Sequence, residues 1–149
     1  MIKNQLFTLA ILLCAALMSC GNDNKEIETK LNEEVMAVHN EVMPKMGEAS
    51  RLKRQLDAFK KSIPDDSVTL KINLINSIMQ LSKSEDMMSD WMANYKYPNP
   101  ASKHEDLVIY LKAQKDSIKQ VSDAMYMSLA IAKEFLKEMP DSIKGVEKR

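Results

Sequence analysis

Between Lys25 and Met139 the apolar residues recur every three or four positions in three long runs, a spacing that an amphipathic helix buries on one side. The first run is Leu31, Val35, Val38, Val42, Ala49, Leu52, Leu56, Phe59 and Ile63. Pro44 lies inside it, where a proline removes the hydrogen bond to the carbonyl of Asn40 and crowds the preceding turn, so a kink or break is expected between Met43 and Gly47. Pro64-Asp65-Asp66-Ser67 is a turn with N-cap candidates and separates the first run from the second. The second stripe carries Leu74, Ile78, Leu81, Met88, Met92 and Tyr95, with Glu85 as a polar interruption. Pro98, Asn99 and Pro100 stop it, and Ser102-Lys103-His104-Glu105 has the form of a capping box that would open a third helix. That helix has a heptad stripe from Leu107 through Leu111, Gln114, Ile118, Val121, Met125, Ser128, Ala132 and Phe135 to Met139, and Pro140 ends it.

The chain has 149 residues and only 3 glycines, too few for the turns of a many-stranded sheet and without a Gly-rich phosphate loop. Long periodic runs joined by short loops therefore predict an all-α fold over residues 25–139: an antiparallel three-helix bundle, up-down-up and coiled-coil-like, with the first helix kinked near Pro44. An intermolecular coiled coil is the alternative, with Gln114 and Ser128 setting register. Short loops favour self-packing. Lys plus Arg and Asp plus Glu both number 21, so no net field draws the chain to nucleic acid.

Residues 1–19 are a segment apart. Lys3 precedes an apolar run from Leu6 to Met18, broken only by Thr8 and too short to span the roughly 30 Å hydrocarbon core of a bilayer. Leu17-Met18-Ser19-Cys20 resembles a bacterial lipobox, in which cleavage before the cysteine leaves it as the new N-terminus, carrying diacylglycerol and an N-linked acyl chain such as palmitate. The expectation is a lipoprotein signal peptide over 1–19, lipidation of Cys20, and a polar tether over 20–24. Such a chain sits in the cell envelope, at the outer membrane of a Gram-negative bacterium, held by its lipid. Cys14 would leave with the signal, so Cys20 has no intramolecular disulfide partner. Residues 140–149 form a polar C-terminal tail in which Ile143 and Val146 could extend a last turn.

Ten of the 12 methionines follow Cys20. Met36, His39, Met43 and Met46 form a stripe next to that of Val38 and Val42, and folding the first helix back at Pro64 puts Met88, Trp91 and Met92 opposite them. Thioether and imidazole ligands suit Cu(I) or Ag(I), with Met36, His39, Met43, Met46, Met88 and Met92 as candidate ligands and Trp91 as a cation-shielding lid. The competing explanation is packing, because methionine fills irregular cores and sulfur packs well on indole. No cofactor is expected if packing is the whole account. His104, in the cap of the third helix, fits a surface position better than a catalytic one, and the Glu33-Glu34 and Asp65-Asp66 pairs fit a solvated face and a turn. With no nucleophile set and no evident cleft, the chain is expected not to be an enzyme but to act by binding or structure. An envelope protein is the expected partner, and it would cover a second apolar surface on the outside of the bundle.

Val35-Met-Ala-Val-His-Asn-Glu-Val-Met-Pro-Lys-Met-Gly47 and Met87-Met-Ser-Asp-Trp-Met92 resemble recurring segments of a family of small Bacteroidota envelope lipoproteins, often labelled "viral A-type inclusion protein". The resemblance implies a helical, lipid-anchored envelope protein and carries no activity, substrate or catalytic residue with it.

Overall fold

A computed structural model describes residues 20–139, and the chain over that range is a helical bundle. The segments expected as signal peptide (1–19) and polar tail (140–149) lie outside the described residues. The elements are α1 (Cys20–Val42), α2 (Lys45–Phe59), α3 (Val68–Asn94) and α4 (His104–Glu138). Because α1 starts at Cys20, the 20–24 segment expected as a tether is the first turn of a helix.

The first apolar run becomes α1 and α2, broken where Pro44 requires it. Met43 N–H still reaches the His39 carbonyl at 2.8 Å, and Met46 N–H turns to the Met43 carbonyl at 3.2 Å. Pro44 occupies the position just before α2 with helical φ of −62°, where its missing N–H costs nothing. The buried stripe continues across the break, from Val35 and Val42 to Ala49, Leu52, Leu56 and Phe59, with Ile63 buried in the turn that follows. Leu31 and Val38 are only half-buried.

In α4 the buried positions are those the heptad names, Leu107, Leu111, Ile118, Val121, Met125, Ser128, Ala132 and Phe135, joined by Leu129 and by Met139 just beyond the helix. Gln114 is half-buried. In α3 the stripe differs from the expectation. Leu74, Ser77, Leu81, Ser84, Met88 and Trp91 are inside, Ile78 and Tyr95 are half-buried, and Met92 is exposed. Ser84 and Ser128 meet in the core with their oxygens 2.9 Å apart, and each hydroxyl also has a carbonyl of its own helix in reach, Leu81 at 2.8 Å and Met125 at 2.9 Å, so one proton bridges the two oxygens while the other goes to a carbonyl. Two small hydroxyls facing each other let α3 and α4 approach closely, which turns α3 so that Ser77 and Ser84 are fully buried while Ile78 moves to the edge of the core and Met92 to the outside.

The capping box does not form. α4 begins at His104 with extended Lys103 before it and no side-chain cap; the Lys103 carbonyl takes the first helical bond, from Leu107 N–H at 3.1 Å. Asn99 closes the preceding turn instead, its side chain accepting from Ala101 N–H at 3.0 Å and its carbonyl from Ser102 N–H at 2.9 Å. Ser67 likewise precedes α3 without a side-chain cap bond.

Polar pairs on the flanks of the core record how the helices lie together. Between α1–α2 and α3, Asn32 meets Tyr95, His39 meets Trp91, and Ser50 and Lys53 both meet Glu85. Between α1–α2 and α4, Glu28 meets His104, Glu34 meets Lys115, Glu41 meets Tyr126 and Glu48 meets Lys133. Numbers run in opposite senses in the first series and in the same sense in the second. Glu85, the interruption in the α3 stripe, is thus the acceptor that holds α2, with Lys53 Nζ at 2.6 Å.

Candidate functional site

Two places on the bundle carry more than packing requires. The first is the seam where α1 meets the second half of α3. His39 stacks on Trp91 with ring centroids 5.5 Å apart, Trp91 stacks on Tyr95 at 4.8 Å, and Tyr95 lies 6.2 Å from Tyr110 of α4. The 3.6-residue period of α3 puts Trp91 and Tyr95 one turn apart on one side, which is why three helices share one aromatic run. Tyr95 donates to Asn32 Oδ1 at 2.5 Å, and burial pushes its phenol above the ordinary tyrosine range. Tyr110 bridges Lys96, accepting from its N–H at 2.6 Å and donating to its carbonyl at 2.8 Å. Trp91 Nε1 is buried with no hydrogen-bond partner among the described residues.

The candidate ligands divide here. His39 and Trp91 are brought into ring contact, as the fold-back at Pro64 requires. His39 Nδ1 lies 3.0 Å from Asn40 Oδ1. Met36 and Met46 are half-buried, Met46 against the core. Met88 is fully buried in the core, whereas Met43 and Met92 are 42% and 36% exposed. Among the described residues no group of three or more His, Cys, Asp or Glu side chains is placed to hold a metal ion.

The second place is the outer side of the first half of α3. Val68, Ile72, Ile75 and Met79 are 60%, 52%, 44% and 61% exposed. Their four-three-four spacing is that of a coiled-coil seam, and at 100° per residue the stripe points roughly 160° away from Leu74, Ser77 and Leu81. Isolated exposed apolar side chains such as Ile109 are ordinary, but four in one register are a patch. Its rim is charged: Lys71 pairs with Asp65 at 2.5 Å, and Asp66, Lys83 and Asp86 are exposed before and along the same helix. These four apolar residues were not singled out as candidates from the sequence, although their spacing was visible there; the stronger-looking stripe one position away masked it.

The remaining charges tie seams together. His104, expected as a surface residue, is instead half-buried with Nδ1 2.8 Å from Glu28 Oε1. Lys115 at 2.7 Å from Glu34, Lys133 at 2.7 Å from Glu48, and Lys71 beside Asp65 each hold their carboxylate below its ordinary range. Tyr126 donates to Glu41 at 2.8 Å, and that bond raises its phenol. Shallow grooves run beside α3, one of about 560 Å³ over Asn73, Asn76, Gln80 and Ile131, another of about 320 Å³ beside Trp91, Asn94 and Gln114. No described helix is long and apolar enough to cross a membrane. No family model, curated protein or solved structure matches the chain.

Proposed function

We propose that this chain is an exported lipoprotein, anchored through lipid on Cys20 to the outer membrane of a Gram-negative envelope, and that it acts without catalysis by contacting another protein through the outer face of α3. The bundle in this account runs up, down and up, with α1 and α2 as one kinked first helix. The opposite numbering of the Asn32–Tyr95, His39–Trp91 and Lys53–Glu85 pairs and the matched numbering of the Glu28–His104 and Glu48–Lys133 pairs support that topology. The lipobox-like Leu17 to Cys20 and the resemblance to Bacteroidota envelope lipoproteins support the anchor.

The observation that carries the contact role is the exposed stripe Val68, Ile72, Ile75, Met79. Leaving four large apolar side chains in water on one helix face sacrifices burial that a partner can supply. The test is native electrophoresis of envelope solubilised in mild detergent, comparing the chain with an Ile72→Lys, Ile75→Glu variant. The expected result is a complex larger than the monomer that collapses in the variant while its thermal melt is unchanged; an unaltered complex overturns the contact role.

The stacking of His39 on Trp91 favours a second function, Cu(I) or Ag(I) binding by His39 with neighbouring methionines under an indole lid. Anaerobic titration with Cu(I) against a competing chelator tests it, with His39→Ala, Met43→Leu as the variant expected to lose the site; equal binding by the variant contradicts it.

A further inference from the structure

We propose that the outer face of α3 binds the same face of a second copy of this chain, with the two α3 helices antiparallel about a two-fold axis beside Asn73 and Leu74. This rests on the contact role just proposed for that face and names its partner. The stripe is self-complementary in this register: Ile72 of one copy lies against Ile75 of the other, and Val68 against Met79, so the larger Met79 meets the smaller Val68 at each end.

The rim decides the direction. About an axis at that point, Lys83 of one copy comes level with the acidic Asp65-Asp66 turn that precedes α3 of the other. Lys83, Asp65 and Asp66 are exposed, and Asp65 already pairs with Lys71 of its own copy. A parallel pair would instead set Lys83 against Lys83, Lys71 against Lys71 and Asp86 against Asp86, like charges that disfavour that arrangement. The patch is small. Four partly exposed side chains a copy fall short of the total burial of about 1,200 Å² usual for specific pairs, so association in free solution is expected to be weak. Confinement on a lipid surface raises the effective concentration and lets so weak a pair form.

The test is disulfide cross-linking of the full chain in mild detergent at high protein concentration, which stands in for confinement on a surface, with Cys14→Ser and Cys20→Ser removing the native thiols and any lipid. Val68→Cys and Met79→Cys chains are oxidised separately and as a mixture. The expected result is efficient dimer formation in the mixture and little in either chain alone. Lys83→Glu is expected to lower it about tenfold, and adding Asp65→Lys and Asp66→Lys to restore it. Equal cross-linking in all three reactions, a predominance of Val68→Cys with itself, or no effect of Lys83→Glu overturns the proposal. Because these side chains are exposed, circular dichroism melts of each variant separate lost pairing from lost folding. A complex that collapses in the Ile72→Lys, Ile75→Glu envelope assay, together with no register-specific disulfide here, would retain the contact role and reject the second copy as its partner.

Discussion

Met88 and Met92 lie one helical turn apart and share a stripe in the sequence, yet burial separates them completely, 0% against 36% exposed. Truncating each to alanine removes the same atoms from two different environments. For Met88 the loss combines transfer free energy with a cavity in the core, about 3 kcal/mol. For Met92, already partly in water and free of a cavity to leave, the cost is about 1 kcal/mol or less. At roughly 4 °C per kcal/mol for a domain of this size, Met88→Ala should melt about 12 °C low and Met92→Ala no more than about 4 °C low. Met88→Leu conserves volume and should cost under about 1.5 kcal/mol. Urea unfolding followed by circular dichroism measures all three. Alanine variants that differ by less than about 0.5 kcal/mol would refute the burial argument. A Met88→Leu variant of ordinary stability that no longer gained stability from Cu(I) would show that the sulfur ligates as well as packs.

Glu85 with Lys53 is a half-buried pair, so a double-mutant cycle of Glu85→Gln and Lys53→Met should give a coupling of about 1 kcal/mol; a value near zero would remove it from the forces holding α2 to α3. Glu34, Glu48 and Asp65 have carboxyl groups held below their ordinary range by lysines, so their stabilisation is present above the unfolded carboxylate value and lost as pH falls through the lower folded value. Urea midpoints should therefore decline on acidification below about pH 5, and Lys115→Ala with Lys133→Ala should flatten that decline. Tyr95 and Tyr126 have raised phenols, so stability they contribute is present below the unfolded tyrosine value and lost as alkali carries pH through the folded one. Part of the alkaline absorbance titration should fall above the ordinary tyrosine range, and Tyr126→Phe should remove a share of it; an unchanged curve would contradict the Glu41 bond.

How far the sequence alone reached varied by element. In α4 apolar residues occupy one stripe with small or polar exceptions, Gln114 and Ser128, and the heptad names the buried positions with few errors. The break at Pro44 follows from proline chemistry alone and occurs where that chemistry puts it. In α3 two apolar stripes compete, and hydrophobicity by itself favours Ile78 and Met92 over Ser77 and Ser84. The Ser84–Ser128 contact across helices decides against that ranking, and it depends on which helix faces which, a tertiary fact that no local pattern contains. The same rotation leaves Val68, Ile72, Ile75 and Met79 in water, so their spacing is legible in the sequence but their exposure is not. For the methionine and histidine set, the fold-back at Pro64 foretold the meeting of His39 with Trp91, while the separation of Met88 from Met43 and Met92 depended on helix rotation. The capping box does not form because the helix starts one residue later than the Ser-x-x-Glu spacing predicts, with extended Lys103 rather than Ser102 at the cap position.

The outer face of α3 as a protein-contact surface on an anchored bundle is tested most directly by a photo-cross-linking residue placed in the full chain inside living cells. Benzophenone side chains at Ile75 and at Met79 should each yield a discrete adduct on irradiation, and one at Asp116, exposed on α4, should yield none. Equal adducts from all three positions, or none from either α3 position, would contradict the account.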